Sequence, residues 1–481
     1  MLRIVRRQSL RAAVGVLLLA QALLAGCAMR PSGEKPERAR IEQAGMHYTQ
    51  PMLPPELPEC PAPEEYLEYA LRNNADLQAR YWEWASAIEQ VPQDSSYPRL
   101  ALGFDNFFDS KNLLPWQSNS LRAATDTMEN IPFPSKLASR GRIALASARA
   151  AGARFDAARY LLQQQVLDTY YDLALLGESL RIREESVALL KMAAEQSVVR
   201  LQTGASSQTE TLRAQTAVDL TQNELYSLRA QAPGLTAQMN ALLGRSAEGP
   251  VPLPSALPEP RPLPVQDDEL LQFGAERNPE LAALARDVAG RKEALNLAKQ
   301  RWLPDFSLSV GLAGEVFEQV GVMFMLPTQV ESIRGGIAQA RADIARAEAA
   351  RTQYARDLAA SFVLNLYILR NSERQIELFG KTIIPRAEQI VSVAAGEYGN
   401  GQLTFAEMLD AQGALLDARL SLAQVRIERE KALAAIEASA AVELQAAARA
   451  DGAAAAGRVG SGAGAQGSEK ASGSGGGMQL P

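Results

Sequence analysis

The chain has 481 residues, a formal charge of −6, one histidine and two cysteines. That inventory supports no metal cluster, no histidine-based catalytic triad and no phosphate-binding glycine loop, so neither an enzyme nor a resident cofactor is expected. An acidic chain without basic stripes is equally unsuited to nucleic acid.

The first element is an export signal at residues 1–26. Arg3, Arg6, Arg7 and Arg11 form a basic start, and Ala12 to Ala25 is an apolar run too short to span a bilayer comfortably. It ends in Leu24-Ala25-Gly26-Cys27, which resembles the bacterial lipobox, where cleavage leaves a lipidated cysteine. The signal carries four arginines and no acid, so the remainder carries −10. Once Cys27 is lipidated, Cys60 stands alone and no intrachain disulfide is possible. Ala28 lacks the aspartate that often retains such lipoproteins at the inner membrane, which points outward.

Residues 27–63 are rich in proline and read as an extended, lipidated tether. Ordered structure is expected from Glu64, with a first helix to about Val91 and a strand at Tyr97 to Phe104 following Pro98. Leu121 to Asn130 alternates poorly and carries Asp126 and Glu129. Lys136 to Leu201 holds no proline and reads as about 65 helical residues, roughly 100 Å at 1.5 Å per residue. Gly204 ends it, and a return helix runs from Ser207 to Leu243.

A Pro-rich linker at 249–264 separates this first copy, 64–248, from a second at 265–447. There a helix from Asp267 to Arg301 leads to strands at Phe306 to Leu312 and Val320 to Leu326, with a turn between them. A long helix from Arg334 to Glu397, kinked at Pro385, and a final helix from Thr404 to about Ala447 follow. Residues 448–481, dominated by Gly, Ala and Ser, are expected to be disordered.

The copies match in phase. Gly204 to Gln215 aligns without a gap on Gly401 to Gln412, Asn74-Ala75-Asp76-Leu77 on Asn278-Pro279-Glu280-Leu281, and Pro98 on Pro304. Each copy is too elongated to bury its own apolar stripe, so neighbouring subunits should complete it. A soluble helical rod would explain the helices but not the paired strand segments at equivalent points.

Lipobox, duplication, element order and the shared hairpin motif resemble the TolC family of outer-membrane efflux channels. The resemblance covers about Glu64 to Ala447. It implies a mainly α fold with a twofold internal repeat. Three protomers would form an α-barrel tunnel, with short strands contributing to an outer-membrane β-barrel. The segments here are shorter than the 9–11 residues a membrane strand needs, so that barrel is expected to be shortened or incomplete. The implied function is a passive exit duct served by a periplasmic adaptor and an inner-membrane pump. The competing reading is a structural or adaptor-binding lipoprotein without a pore. The Ile131 to Lys136 stretch resembles members that accompany heavy-metal pumps, while drugs and exported peptides stay open as cargo.

The same resemblance places the hairpins at the periplasmic tip, with Gly204, Ser207, Gly401 and Thr404 facing the adaptor. Glu407 and Asp410, three apart on one helix, would form an acidic ring at the aperture. Tyr398 would bond Glu210 across hairpins to hold it shut. A second link in the family uses an arginine where this chain has Leu403, so that link is expected to be missing. Metabolic labelling with a fatty acid should mark the wild type and not Cys27→Ser; equal labelling of both would refute lipidation at this cysteine.

Overall fold

The computed structural model describes residues 29–49, 57–58, 60–98, 100–106, 119–125, 130–204, 206–254, 256–261, 277–313 and 317–441. Cys27 and the tail beyond Ala441 lie outside them. Two compact units are present, and each draws on both sequence copies. The first comprises Met1–Leu173, Ser227–Pro254 and Asn278–Ser361; the second comprises Ala174–Tyr226, Ser255–Arg277 and Phe362–Pro481.

In the first unit the expected extended tether contains a helix, α1 (Glu34–Thr49). Between Pro36 and Pro51 the chain has no proline, and Glu34 and Glu37 lie in the first turn, where the helix dipole favours acids. Further helices are α2 (Pro63–Asn73) and α3 (Ala75–Ser95), which replace the single helix read from sequence. The break is Asn74, whose side chain accepts from the Leu77 amide at 2.9 Å and caps α3. Asn278 repeats this on Leu281, also at 2.9 Å, at the start of α7 (Pro279–Lys299). The duplication therefore survives down to individual caps. Helix α1 packs on α3, where the Trp84 indole donates to Glu37 at 3.0 Å and Tyr48 meets Tyr81 with the rings tilted, 5.0 Å between centroids.

The strands β1 (Leu100–Asn106), β2 (Asn119–Thr125), β3 (Asp305–Ala313) and β4 (Phe317–Met325) form one antiparallel sheet in chain order. Pairing of β2 with β3, from Ser120↔Ala313 to Ala124↔Ser309, joins the two copies. Strands β3 and β4 are nine residues each, longer than read from sequence and at the lower limit for a membrane strand, whereas β1 and β2 hold seven each. Alternation had underrated β3 and β4 because Gly311 and Gly321 interrupt the apolar pattern while the backbone ladder continues through both. At the base of the sheet, Lys136 donates to the Leu303 carbonyl at 2.8 Å and to Asp305 at 2.7 Å.

Helix α4 (Pro134–Gln202) is continuous over 69 residues, as an unbroken run of helix formers dictates. The return segment divides into α5 (Gln208–Arg229) and α6 (Ala232–Leu242), because Pro233 can begin a helix but not continue one. In the second copy, α8 (Val330–Leu378) passes into a π turn at Phe379–Ile383 and then α9 (Ile384–Gly399). Pro385 supplies no amide to the preceding turn, and the wider π spacing, with Ile384 N–H donating to the Phe379 carbonyl, absorbs the mismatch. The last helix is α10 (Phe405–Ala440).

In the second unit, Arg261 of the inter-copy linker is clamped on α10. Its guanidinium bonds Glu430 and Glu437, each at 2.9 Å, and its carbonyl accepts from Arg429 at 2.9 Å. Both carboxylates are almost fully buried. Removing a cation from such a cluster is worth about 3–5 kcal/mol, because buried charge loses its compensation. Arg261→Met should therefore lower the thermal midpoint of the detergent-solubilised protein. An unchanged midpoint would show that the linker is not anchored this way.

Candidate functional site

The site lies in the second unit, where two helical hairpins present equivalent turns. Gly204 follows α4 and Gly401 follows α9, at φ of 75° and 76°. Only glycine adopts this left-handed conformation without strain, which is why the chain can reverse within a few residues. Ser207 then caps α5 by accepting from the Glu210 amide at 3.2 Å. Thr404 caps α10 more completely: Glu407 N–H donates to its hydroxyl, and the Glu407 carboxylate accepts from the Thr404 amide at 2.9 Å. This reciprocal box satisfies two orphan donors of the helix start. Gly204, Ser207, Gly401 and Thr404 are all exposed at these turns.

Between the hairpins sits a small core of Ala193, Ala214, Tyr398, Phe405 and Met408, with Leu403 packed beside it. Tyr398 is 1% exposed and meets Phe405 edge-on at 5.9 Å. Its hydroxyl is buried and lacks a hydrogen bond of good geometry, although the Glu210 carboxylate is close. Burial first, and then Glu210, push the phenol up to about 12. The tyrosine and the acid anticipated from sequence are thus neighbours, without a fully formed bond between them.

The inter-hairpin link is supplied instead by a residue that sequence reasoning passed over. Arg200, in the last turn of α4, donates to the Tyr398 carbonyl and lays its guanidinium over the Tyr398 ring, 4.5 Å from the centroid. Leu403 carries no arginine link, yet an arginine clamp is present from the other hairpin. A signal existed. In the gapless alignment Arg200 and Leu201 face Glu397 and Tyr398, so the copies differ where the clamp is built.

Glu407 and Asp410 are exposed on the first turns of α10, while Phe405 and Met408 point into the core. The Thr404 backbone N–H, and then its hydroxyl, hold the Glu407 carboxyl below its ordinary range. Glu407 is therefore an anion that also caps its helix. Among the described residues no group of side chains is arranged to hold a metal ion. No described helix is long and apolar enough to cross a membrane.

The raised Tyr398 pKa has a pH consequence. A phenol with a folded pKa of about 12 and an unfolded value near 10 contributes stability that is full below pH 10. That contribution is lost as pH rises through 12. Wild type should lose stability relative to Tyr398→Phe across this window, and the difference absorbance at 295 nm should rise near pH 12. A wild-type minus Tyr398→Phe absorbance difference that rises near pH 10 instead would contradict the buried setting.

The family described as outer membrane efflux protein matches residues 66–245. The cobalt-zinc-cadmium resistance protein CzcC of Cupriavidus metallidurans is 26% identical over 379 residues, covering 74% of this chain and 84% of the relative. Among solved structures, the outer membrane protein VceC of Vibrio cholerae superposes with a TM-score of 0.67 at 16% identity, covering 79% of this chain and 95% of that one. The outer-membrane channel OprN gives 0.64 at 19% identity, with coverage of 80% and 90%. Those likenesses extend the shared fold across both copies, and residues 66–245 match the family of outer membrane efflux proteins.

Proposed function

We propose that the protein is the outer-membrane channel of a tripartite efflux system, a passive exit duct working as a homotrimer. The observation that carries this reading is the four-stranded meander whose outer strands, β1 and β4, each pair on one side only among the described residues. A membrane strand cannot leave backbone donors and acceptors unpaired in lipid, so three copies would close a barrel of 12 strands. Exposed Val322, Met323 and Phe324 on β4 suit an apolar surrounding. The exposed turns at Gly204, Ser207, Gly401 and Thr404 would meet a periplasmic adaptor, which in turn engages an inner-membrane pump. Cys27 would add a lipid anchor in the outer membrane. Likeness to a cobalt-zinc-cadmium resistance protein favours divalent metal cations as cargo.

Within this reading, threefold symmetry gathers Glu407 and Asp410 into an acidic aperture, and the Arg200–Tyr398 clamp holds the hairpins closed. Because Glu407 also caps α10, alanine would confuse charge with folding; glutamine keeps the cap and removes the charge. In planar bilayers, Glu407→Gln/Asp410→Asn should lower cation preference without changing trimer mass. Arg200→Gln should raise the open fraction at least about ten-fold, since a charge-assisted bond of roughly 1.5–3 kcal/mol is lost per subunit. Unchanged selectivity in a demonstrated pore would remove these acids from the aperture, and a folded monomer with no larger species would refute the channel.

A further inference from the structure

The first unit contains a basic cleft that the duct reading does not use. It is a cavity of about 450 Å³, within the size range of small-ligand sites, between the start of the described chain, α4 and α7. Four arginines line it, Arg30, Arg142, Arg149 and Arg286, against one carboxylate, Glu293. Arg142 is held by Glu293 at 2.9 Å. The other three are poorly matched. Arg30 reaches Glu34 only at 3.8 Å, and Arg149 reaches Glu37 only at 4.0 Å and the Gly33 carbonyl at 3.5 Å. Those acids have closer partners: Glu34 takes Arg38 at 2.9 Å, and Glu37 accepts from Trp84 at 3.0 Å. Arg286 is exposed and has no ion pair or hydrogen bond among the described residues. The cleft therefore holds positive charge in excess of what its own walls neutralise.

Its position suggests the anion. Tyr97, Phe133 and Trp302 are exposed aromatics at the base of the sheet, just before β1, just before α4 and just before β3. Exposed aromatics gathered at one end of a membrane sheet mark the water interface. Lys136 bonds the sheet base at Asp305, and Arg142 lies six residues further along α4, about 9 Å away. A headgroup layer is roughly 5–8 Å deep on each side of the hydrocarbon, so the sheet-side rim of the cleft, at Arg142, lies at its lower edge, while Arg149, about 20 Å along α4 from Lys136, lies deeper in the cleft. Arg30 lies at the same level, because Met29 N–H donates to the Ser95 carbonyl and the Met29–Pro31 backbone passes beside Gly141. Met29 is two residues from Cys27, so the chain can span at most about 7 Å to a lipidated terminus. Guanidinium groups match phosphate oxygens in charge and fork geometry.

We propose that this cleft binds the phosphate of a phospholipid in the inner leaflet of the outer membrane, whose acyl chains rest above it against the aromatic belt. The site rests on the outer-membrane reading. It would fix the depth of each protomer in the bilayer independently of the Cys27 lipid. Arg30→Gln/Arg286→Gln is the informative variant, because neither residue has a close partner whose loss would disturb folding. Arg213→Gln/Arg341→Gln, at exposed positions outside the cleft, controls for net charge.

The full-length protein, purified in detergent, is titrated with phosphatidylglycerol, with diacylglycerol lacking phosphate, and with inorganic phosphate. Native mass spectrometry counts the adducts. The expected result is retention of phosphatidylglycerol over diacylglycerol in wild type and control. The cleft variant should lose at least about ten-fold in affinity, and millimolar inorganic phosphate should fail to displace the lipid. Equal retention by the cleft variant would overturn the site. Displacement by inorganic phosphate, with no preference for lipid, would reassign it to a soluble anion and overturn the lipid assignment. Fractionation of the same preparations separates the premises: a wild type absent from outer membrane refutes the duct, whereas a membrane-inserted wild type with an indifferent cleft refutes only the lipid site.

Discussion

Everything in this architecture follows from backbone groups that one chain cannot satisfy. The sheet runs β1-β2-β3-β4, so the outward edges of β1 and β4 find no partner among the described residues. In water an edge is a liability that charge or curvature can manage; in lipid it is not tolerated. The pairing of β2 with β3 makes the two copies contribute to one sheet rather than two. The long helices likewise carry exposed Leu189, Met192, Val363 and Leu364, apolar surface that a neighbouring copy would cover.

Against that repeated background, the chemistry of the hairpins comes from a broken symmetry. Both turns use a left-handed glycine and a hydroxyl cap, and to that extent they are interchangeable. The clamp is not. An arginine on one hairpin grips the carbonyl and ring of a tyrosine on the other, and exchanging their places is forbidden by what stands at the equivalent positions. Such a contact joins the two hairpins while its donors stay half-buried, a setting in which it can be made and released. The anionic helix start at Glu407 adds charge beside it without spending a buried group.

Much of this was legible in the sequence because it was written twice. The repeat around Asn74 and Asn278, the turn glycines and the strands after Pro98 and Pro304 follow from local chemistry that needs no distant partner, whereas the caps at Asn74 and Asn278 fall where the sequence reads as helix interior. What stayed hidden depended on tertiary partners or on proline. Helix α1 looked like tether because prolines flank it, although its Glu37 and Tyr48 pack on Trp84 and Tyr81, further along the chain. The π turn before Pro385 is a compromise visible only once the helix is built. Arg200 was not singled out from sequence, since its role exists only opposite Tyr398. Burial of the Tyr398 hydroxyl without a good bond could not be read from residue type at all.

Closure of the sheet between copies can be examined in the membrane itself. Single cysteines placed in turn along Leu100–Asn106 of β1, each paired with Val322→Cys in β4 in a Cys60→Ser background, form disulfides only where the strands of neighbouring copies face one another. If β1 of one copy pairs with β4 of the next, covalent trimers form under mild oxidation, with efficiency alternating at a period of two residues. Monomers throughout the scan, in membranes that contain the protein, would mean that the edges remain open and that the chain builds no barrel.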